Sequence, residues 1–281
     1  MNYLKALNYG NNQLKINNIN THGLDSEILL SKILNKTRED ILINLEKNIL
    51  PVELAKYKKL ICRRKSNEPV AYIIQNKEFW KSNFFINKDV LIPRPETELV
   101  IEEIIKLINI NGSKSILDVG TGSGCIIISL LKERPNCFAT AIDISKKALK
   151  VAKYNAKIHH LKNKIRFINI DIDKFNLNKY DFIISNPPYI KNLSLMRLDD
   201  SIKLYEPHLA LEAGKDGLRE IKKLIIRSRK LLKNNGKLIF EIGFDQIDNI
   251  RNLLNKNGFF INKICNDMNF IPRVIISTKL S

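Results

Sequence analysis

From about residue 115 onward the chain alternates between two kinds of segment, and that alternation restricts the folds open to it. "SILDV" (115–119), "CFATAID" (137–143), "KIRFINI" (164–170), "YDFIIS" (180–185) and "GKLIFEI" (236–242) are compact apolar runs of strand length. Between most of them lie stretches of helical length and spacing: "GCIIISLLKER", "SKKALKVAKYNAKI" and "DGLREIKKLIIRSRKLLKNNG". Apolar strands separated by helices predict a mostly parallel sheet with helices on both faces. "GFFINKI" and "PRVIIST" follow as an expected antiparallel pair, which brings the strand count to seven. In such sheets ligands bind at the carboxyl ends of the strands, where the strand order reverses.

The strand ends are where the unusual residues fall. "LDVGTGSGC" (117–125) is a strand, then Gly120, Gly122 and Gly124 alternating with Thr121 and Ser123, then a helix. Glycines let the backbone turn sharply and approach a ligand, and the helix start offers unpaired N–H groups. The G-x-G-x-G spacing differs from the dinucleotide fingerprint, and no Gly-Lys-Ser/Thr follows to hold a triphosphate. A nucleotide-like cofactor suits the loop; a plain strand-to-helix turn is the competing reading. The second strand ends at Asp143, placed to accept both hydroxyls of a ribose. The competing role for Asp143 is capping the helix that starts near Ser145. The third strand leads into Asp171, either an acceptor for an exocyclic adenine amine or a solvated loop aspartate. The fourth runs into "SNPPYI" (185–190). Two prolines have no N–H for the sheet and stop the strand rigidly, with Asn186 and the Pro187 carbonyl fixed at the stop. A nucleoside cofactor laid across these ends would present its reactive group to Asn186.

Upstream, residues 1–70 read as helices that must pack together to bury anything. "SEILLSKIL" has helical spacing, Pro51 suits the first turn of "PVELAKYKKLICRRK", and Thr37 with Asp40 forms a capping box. Residues 71–93 read as a β-hairpin linker, with turn formers at Ser82–Asn83 and Asn87–Asp89. Residues 94–281 then form the strand–helix domain. Pro95, Glu96 and Glu98 in "PRPETE" suit the start of a helix.

At 44% hydrophobic residues the 281-residue chain has the composition of an ordinary globular protein, neither disordered nor membrane-embedded. No apolar run reaches the roughly 20 residues of a membrane span. The N-terminal stretch lacks the apolar core and cleavage site of a secretory signal, so a cytoplasmic location is expected. Four scattered cysteines, Cys62, Cys125, Cys137 and Cys265, form no C-x-x-C pair and fit apolar fillers in a reducing compartment. The four histidines offer no metal-ligand spacing, and no metal is expected. The net charge of +18 is spread along the chain. It fits either a lysine-rich composition or weak contact with RNA or the ribosome.

Taken together, "LIPRPETE" (91–98), "LDVGTGSG", "AIDIS", "SNPPYI", "EPHLAL" (206–211), "FEIG" (240–243) and "IPRVI" (271–275) resemble, in order, the HemK/PrmC family of class I S-adenosylmethionine methyltransferases. Almost the whole chain takes part. The resemblance implies a Rossmann-like methyltransferase fold behind a helical substrate-recognition domain. It implies S-adenosylmethionine as cofactor, with S-adenosylhomocysteine as product. The implied substrate is the side-chain amide of the glutamine in the G-G-Q loop of class I peptide chain release factors. Asn186, Pro187, Pro188 and Tyr189 would bind that glutamine, with the Tyr189 ring against its amide. Gly120, Thr121, Gly122, Ser123, Gly124, Asp143, Asp171, Ile172 and Asn186 would hold the cofactor. Many relatives have an aromatic residue at the Ile172 position, so adenine would be covered here by dispersion alone. Arg94, Thr97, Glu98 and Glu206 border the expected pocket. The alternatives are a ribosomal-protein glutamine as substrate, an adenine N6 or rRNA guanine N2 amine, and a non-enzymatic RNA-binding module. No region has the size and composition of a DNA target-recognition domain. A monomer is expected.

Overall fold

The computed structural model describes residues 1–280, and the chain divides into two units: Met1–Asn76 with Asp199–Tyr205, and Lys77–Leu198 with Glu206 onward. The sequence boundaries differ at two places. The helical unit runs to Asn76, not 70, and it takes in a seven-residue segment (199–205) from far downstream.

The first unit contains α1 (Tyr3–Ile16), α2 (His22–Leu34), α3 (Arg38–Ile43), α4 (Pro51–Lys65) and α5 (Val70–Ile74). Its helix starts follow local chemistry. Thr37 Oγ1 accepts from the Asp40 N–H at 3.1 Å and Asp40 returns a bond from the Thr37 N–H, the reciprocal cap expected at α3. Apolar faces of the helices bury Leu14, Leu29, Leu30, Ile41, Tyr57 and Ile61 in one core. The Tyr57 hydroxyl reaches Ser26 Oγ at 2.6 Å inside that core. Gly10 makes room for it, because a Cβ there would lie 2.0 Å from the Tyr57 oxygen.

The second unit opens with a hairpin, β1 (Lys77–Phe79) and β2 (Ser82–Phe84). Its turn is not the Ser82–Asn83 pair that the sequence suggests. Asn83 pairs with Glu78 in the ladder, and the chain reverses at Trp80–Lys81 with Trp80 at φ +47°. Tertiary anchors impose this on an unfavourable residue. The Trp80 backbone N–H donates to Glu98 at 2.6 Å and its indole N–H to Glu133 at 2.8 Å. Phe79 and Phe84 are thereby buried.

After α6 (Glu98–Leu107) come β3 (Ser115–Val119), α7 (Cys125–Glu133), β4 (Phe138–Asp143), α8 (Lys146–Ile158), β5 (Ile165–Asn169) and β6 (Tyr180–Ser185). The chain continues through α9 (Asn192–Leu195), α10 (Asp200–Tyr205), α11 (Arg219–Leu231), β7 (Leu232–Glu241), α12 (Ile247–Lys256), β8 (Phe259–Asn266) and β9 (Pro272–Lys279). The seven main strands lie in the order β5-β4-β3-β6-β7-β9-β8. The first five pair in parallel, and β9 pairs antiparallel with both β7 and β8, as the sequence pattern predicts. β7 begins four residues before the apolar run because Leu232 pairs with Tyr180 ahead of a register shift.

The topology positions the site. The chain runs from β3 outward to β5, then returns to place β6 on the other side of β3, so the order reverses between β3 and β6. Val119 pairs with both Ile142 and Ser185, and Asp143 with Asn169. The last residues of four neighbouring strands therefore stand in one row.

Candidate active site

A cavity of about 380 Å³ opens along that row. Gly120, Gly122 and Gly124 sit at φ +69°, +55° and +80°, a region side chains rarely adopt. They differ in what surrounds them. A Cβ on Gly120 would meet nothing within 4 Å, whereas one on Gly124 would press Ile128 and Ala152 at 3.0 and 3.3 Å. The first keeps the cavity floor low; the last lets α7 and α8 close together.

Asp143 is tied on both oxygens. Oδ2 accepts from the Gly122 N–H at 2.9 Å and Oδ1 from the Ser145 N–H at 2.8 Å. The cap of α8 is Ser145, whose Oγ accepts from Ala148, so capping is not what Asp143 does. Burial pushes its carboxyl up and the two backbone bonds work against that. Each oxygen keeps lone pairs for a ligand hydroxyl, and Asp143 lines the cavity. Asp171 and Ile172 line it too, with Asp171 Oδ1 bound by the Asp173 N–H at 2.9 Å. Thr121 and Ser123 complete the loop's contribution.

Asn186, Pro187 and Pro188 form the opposite lining. Asn186 Nδ2 donates to Thr97 Oγ1 at 3.0 Å, the Thr97 hydroxyl donates to Glu241 Oε2 at 2.5 Å, and the Tyr189 hydroxyl donates to Glu241 Oε1 at 3.0 Å. Thr97 and Glu241 are buried. Burial pushes the Glu241 carboxyl up while the two hydroxyls hold it down. Of the expected site residues, Gly124 and Tyr189 do not line the cavity. Tyr189 packs against the core beneath it, and its carbonyl accepts from Gln246 Nε2 at 3.1 Å.

The flanking segments divide in role. Arg94 and Thr97 line the cavity; Glu98 holds the hairpin and Glu206 holds the segment before Arg94. The buried Glu206 carboxylate accepts from Arg94 at 2.6 Å and from the Ile92 N–H at 3.2 Å. Asn155, on α8, carried no motif and was missed. It accepts from the Phe85 N–H at 2.9 Å and donates to the Phe85 and Ser123 carbonyls at 2.9 and 2.8 Å, fully buried. Asn155→Leu strands three backbone groups and is expected to lower unfolding stability by about 3 kcal/mol in urea titration. A loss under about 1 kcal/mol would show that the tie is dispensable.

One buried group stands apart. Neither Asp118 oxygen has a hydrogen-bond partner, and burial pushes its carboxyl up to about 7, with the Asp143 charge adding to the rise and the adjacent Thr121 side chain opposing it. Among the described residues no three His, Cys, Asp or Glu side chains group as metal ligands, and no helix is long and apolar enough to cross a membrane. Three cysteines are buried, but Cys62 is exposed and fills nothing.

Strand order and the cavity at its switch point define a Rossmann-like α/β fold, which methyltransferases of known structure share. A methyltransferase from Pyrococcus furiosus shares the fold with TM-score 0.55 and 17% identity, over 81% of this chain and 100% of that one. A ribosomal protein L11 methylase from Lactobacillus delbrueckii subsp. bulgaricus does so with TM-score 0.51 and 19% identity, over 67% and 81%. Residues 5–74 match the PrmC N-terminal domain model and residues 96–199 the methyltransferase small domain model. The release factor glutamine methyltransferase of Clostridium acetobutylicum is 35% identical over 258 residues, 91% of this chain and 90% of that protein. That of Coxiella burnetii is 38% identical over 85% of both. The chain belongs to the release factor glutamine methyltransferase family. A bifunctional methyltransferase of Rickettsia typhi is 39% identical over 96% of the chain, which spans little more than half (56%) of that relative's length.

Proposed function

We propose that the protein transfers a methyl group from S-adenosylmethionine to the side-chain amide nitrogen of the G-G-Q glutamine in class I release factors, in support of translation termination. The carrying observation is the Asn186 carboxamide at the cavity wall. Its NH2 is taken by Thr97, and no protein donor reaches its Oδ1 among the described residues. The cavity fits the cofactor: the open face of Gly120 admits a ligand where a side chain would block it, and Asp143 offers paired acceptors for ribose hydroxyls.

When bound, S-adenosylmethionine supplies an electrophilic methyl group, its S–CH3 bond breaking as the N–CH3 bond forms so that S-adenosylhomocysteine leaves, and the methylated nitrogen then loses one proton to solvent. The protein's task is the amide nitrogen, a poor nucleophile because its lone pair is delocalised into the carbonyl. Asn186 Oδ1 and the Pro187 carbonyl accept its two N–H groups and stabilise the positive charge that develops on nitrogen during transfer. Both acceptors are fixed before the substrate arrives, one by Thr97 and the other by the proline pair, so little reorganisation is needed. Gly120–Ser123, Asp143, Asp171 and Ile172 hold the cofactor; Pro187 and Pro188 shape the glutamine channel. Tyr189 acts from behind through Glu241. The helical unit recognises the release factor. The protein works as a cytoplasmic monomer, and its net charge of +18 provides weak contact with RNA or the ribosome.

The test is incubation with labelled S-adenosylmethionine and three acceptors: a release factor, ribosomal protein and bare rRNA. Label is expected on the release factor alone and is lost when its G-G-Q glutamine is alanine. Label on rRNA alone would reverse the choice of substrate.

A further inference from the structure

A carboxamide presents an acceptor at one end and donors at the other, and the acceptor role of Asn186 requires its oxygen to face the cavity. Asn186 cannot set this itself, because its two ends have nearly the same shape. We propose that Glu241, acting through the Thr97 hydroxyl, fixes which end of the Asn186 side chain faces the cavity. The proposal rests on the reaction proposed above for its consequence, but on the geometry alone for its cause.

The argument follows the hydrogens. Glu241 receives hydroxyls on both oxygens, Thr97 at 2.5 Å on Oε2 and Tyr189 at 3.0 Å on Oε1. In its ionised form, which both hydroxyl bonds and the Arg273 charge favour against burial, Glu241 only accepts, so each hydroxyl hydrogen points at it. The Thr97 hydrogen is thereby committed, and toward Asn186 the oxygen can offer only a lone pair. At 3.0 Å that lone pair selects the NH2 end of the carboxamide, and Oδ1 turns to the cavity. Three residues from remote parts of the chain make this connection: Thr97 closes the 95–97 helical turn, Asn186 directly follows β6 and Glu241 ends β7. Thr97 and Glu241 are 2% and 1% exposed, so water does not compete for either bond. Glu241 and Tyr189 do not line the cavity. They are positioning residues.

The test compares Thr97→Val, Thr97→Ser and Glu241→Gln with the wild type. Valine keeps the volume and loses the hydroxyl; serine keeps the hydroxyl; glutamine keeps the shape of Glu241 but can point a donor at Thr97. The readouts are kcat and KM with a release factor, affinity for S-adenosylhomocysteine by calorimetry, and the side-chain NH2 signals of Asn186 by NMR. Those signals are assigned from the pair lost in Asn186→Ala. Thr97→Val and Glu241→Gln are expected to lower kcat by about tenfold to a hundredfold. S-adenosylhomocysteine affinity is expected to stay within about threefold, since the residues cited for that binding are untouched. Thr97→Ser recovers most of the lost rate. The Asn186 signals shift in the valine and glutamine variants and stay near their wild-type place in serine.

Wild-type kcat in Thr97→Val, a serine variant as slow as valine, or Asn186 signals unmoved in every variant would each overturn the proposal. If Thr97→Val does not fold, Glu241→Gln carries the same comparison. A wild type that methylates no release factor would overturn the reaction, and the NMR shifts would still decide the positioning.

Discussion

Replacing Asn186 with alanine is expected to lower kcat by about a hundredfold to a thousandfold, while S-adenosylmethionine affinity stays within about tenfold. The two effects separate because the residues proposed to hold the cofactor lie at the β3, β4 and β5 ends, and Asn186 stands at the β6 end. Alanine removes the acceptor for one amide N–H and leaves the Pro187 carbonyl, so residual turnover is expected. It also frees the Thr97 lone pair, but Thr97 keeps its bond to Glu241, and the fold should survive. Single-turnover kinetics with calorimetric cofactor binding reads both quantities. An alanine variant with wild-type kcat would remove the acceptor mechanism. A variant that lost cofactor affinity in proportion to rate would place Asn186 in cofactor binding instead.

Asp118→Asn should change the pH dependence of stability strongly. The folded carboxyl sits at about 7, against an ordinary value near 4, because it is buried with both oxygens unpartnered. Its folded value is raised, so below about pH 4 the group is neutral in both states and costs nothing. Between about 4 and 7 the unfolded chain releases the proton and the folded chain keeps it, and stability falls as pH rises. Above 7 the loss is complete, on the order of 4 kcal/mol. Asparagine has no such dependence. Its advantage over the wild type should widen by about 2–3 kcal/mol between pH 5 and pH 8 in urea titrations. Equal pH slopes for the two proteins would mean that Asp118 is solvated or bonded in the folded chain.

What could be read from the sequence had local causes. Strands announced themselves because β3, β4, β6 and the second half of β7 are mostly buried and largely apolar, while β5 is only partly covered. The glycine loop was legible because positive φ admits few other residues, and the stop at Pro187–Pro188 because proline excludes a ladder. Thr37 and Asp40 lie three apart, within reach of simple pattern reading. What stayed hidden was built from contacts across long stretches of chain. Asn155 meets Phe85 across 70 residues, Asn186 meets Thr97 across 89, and Thr97 meets Glu241 across 144. None of these residue types is unusual where it stands, so no spacing marks them. Trp80 turns the hairpin against its own preference because Glu98 and Glu133 hold it. Tyr189 reads as a ring against the substrate amide, whereas in the structure its hydroxyl reaches Glu241 and the residue is not part of the cavity lining.

The place of β9 bears on how this molecule is made. Residues 272–279 are inserted between β7 and β8, so β8 cannot join the sheet until that stretch has left the ribosome. Until then β7 has an open edge, ready to pair with any extended segment nearby. A nascent chain stopped short of Pro272 would carry every group lining the cavity and still be an aggregation hazard, because the β7 edge waits for residues 272–279 to pair with it.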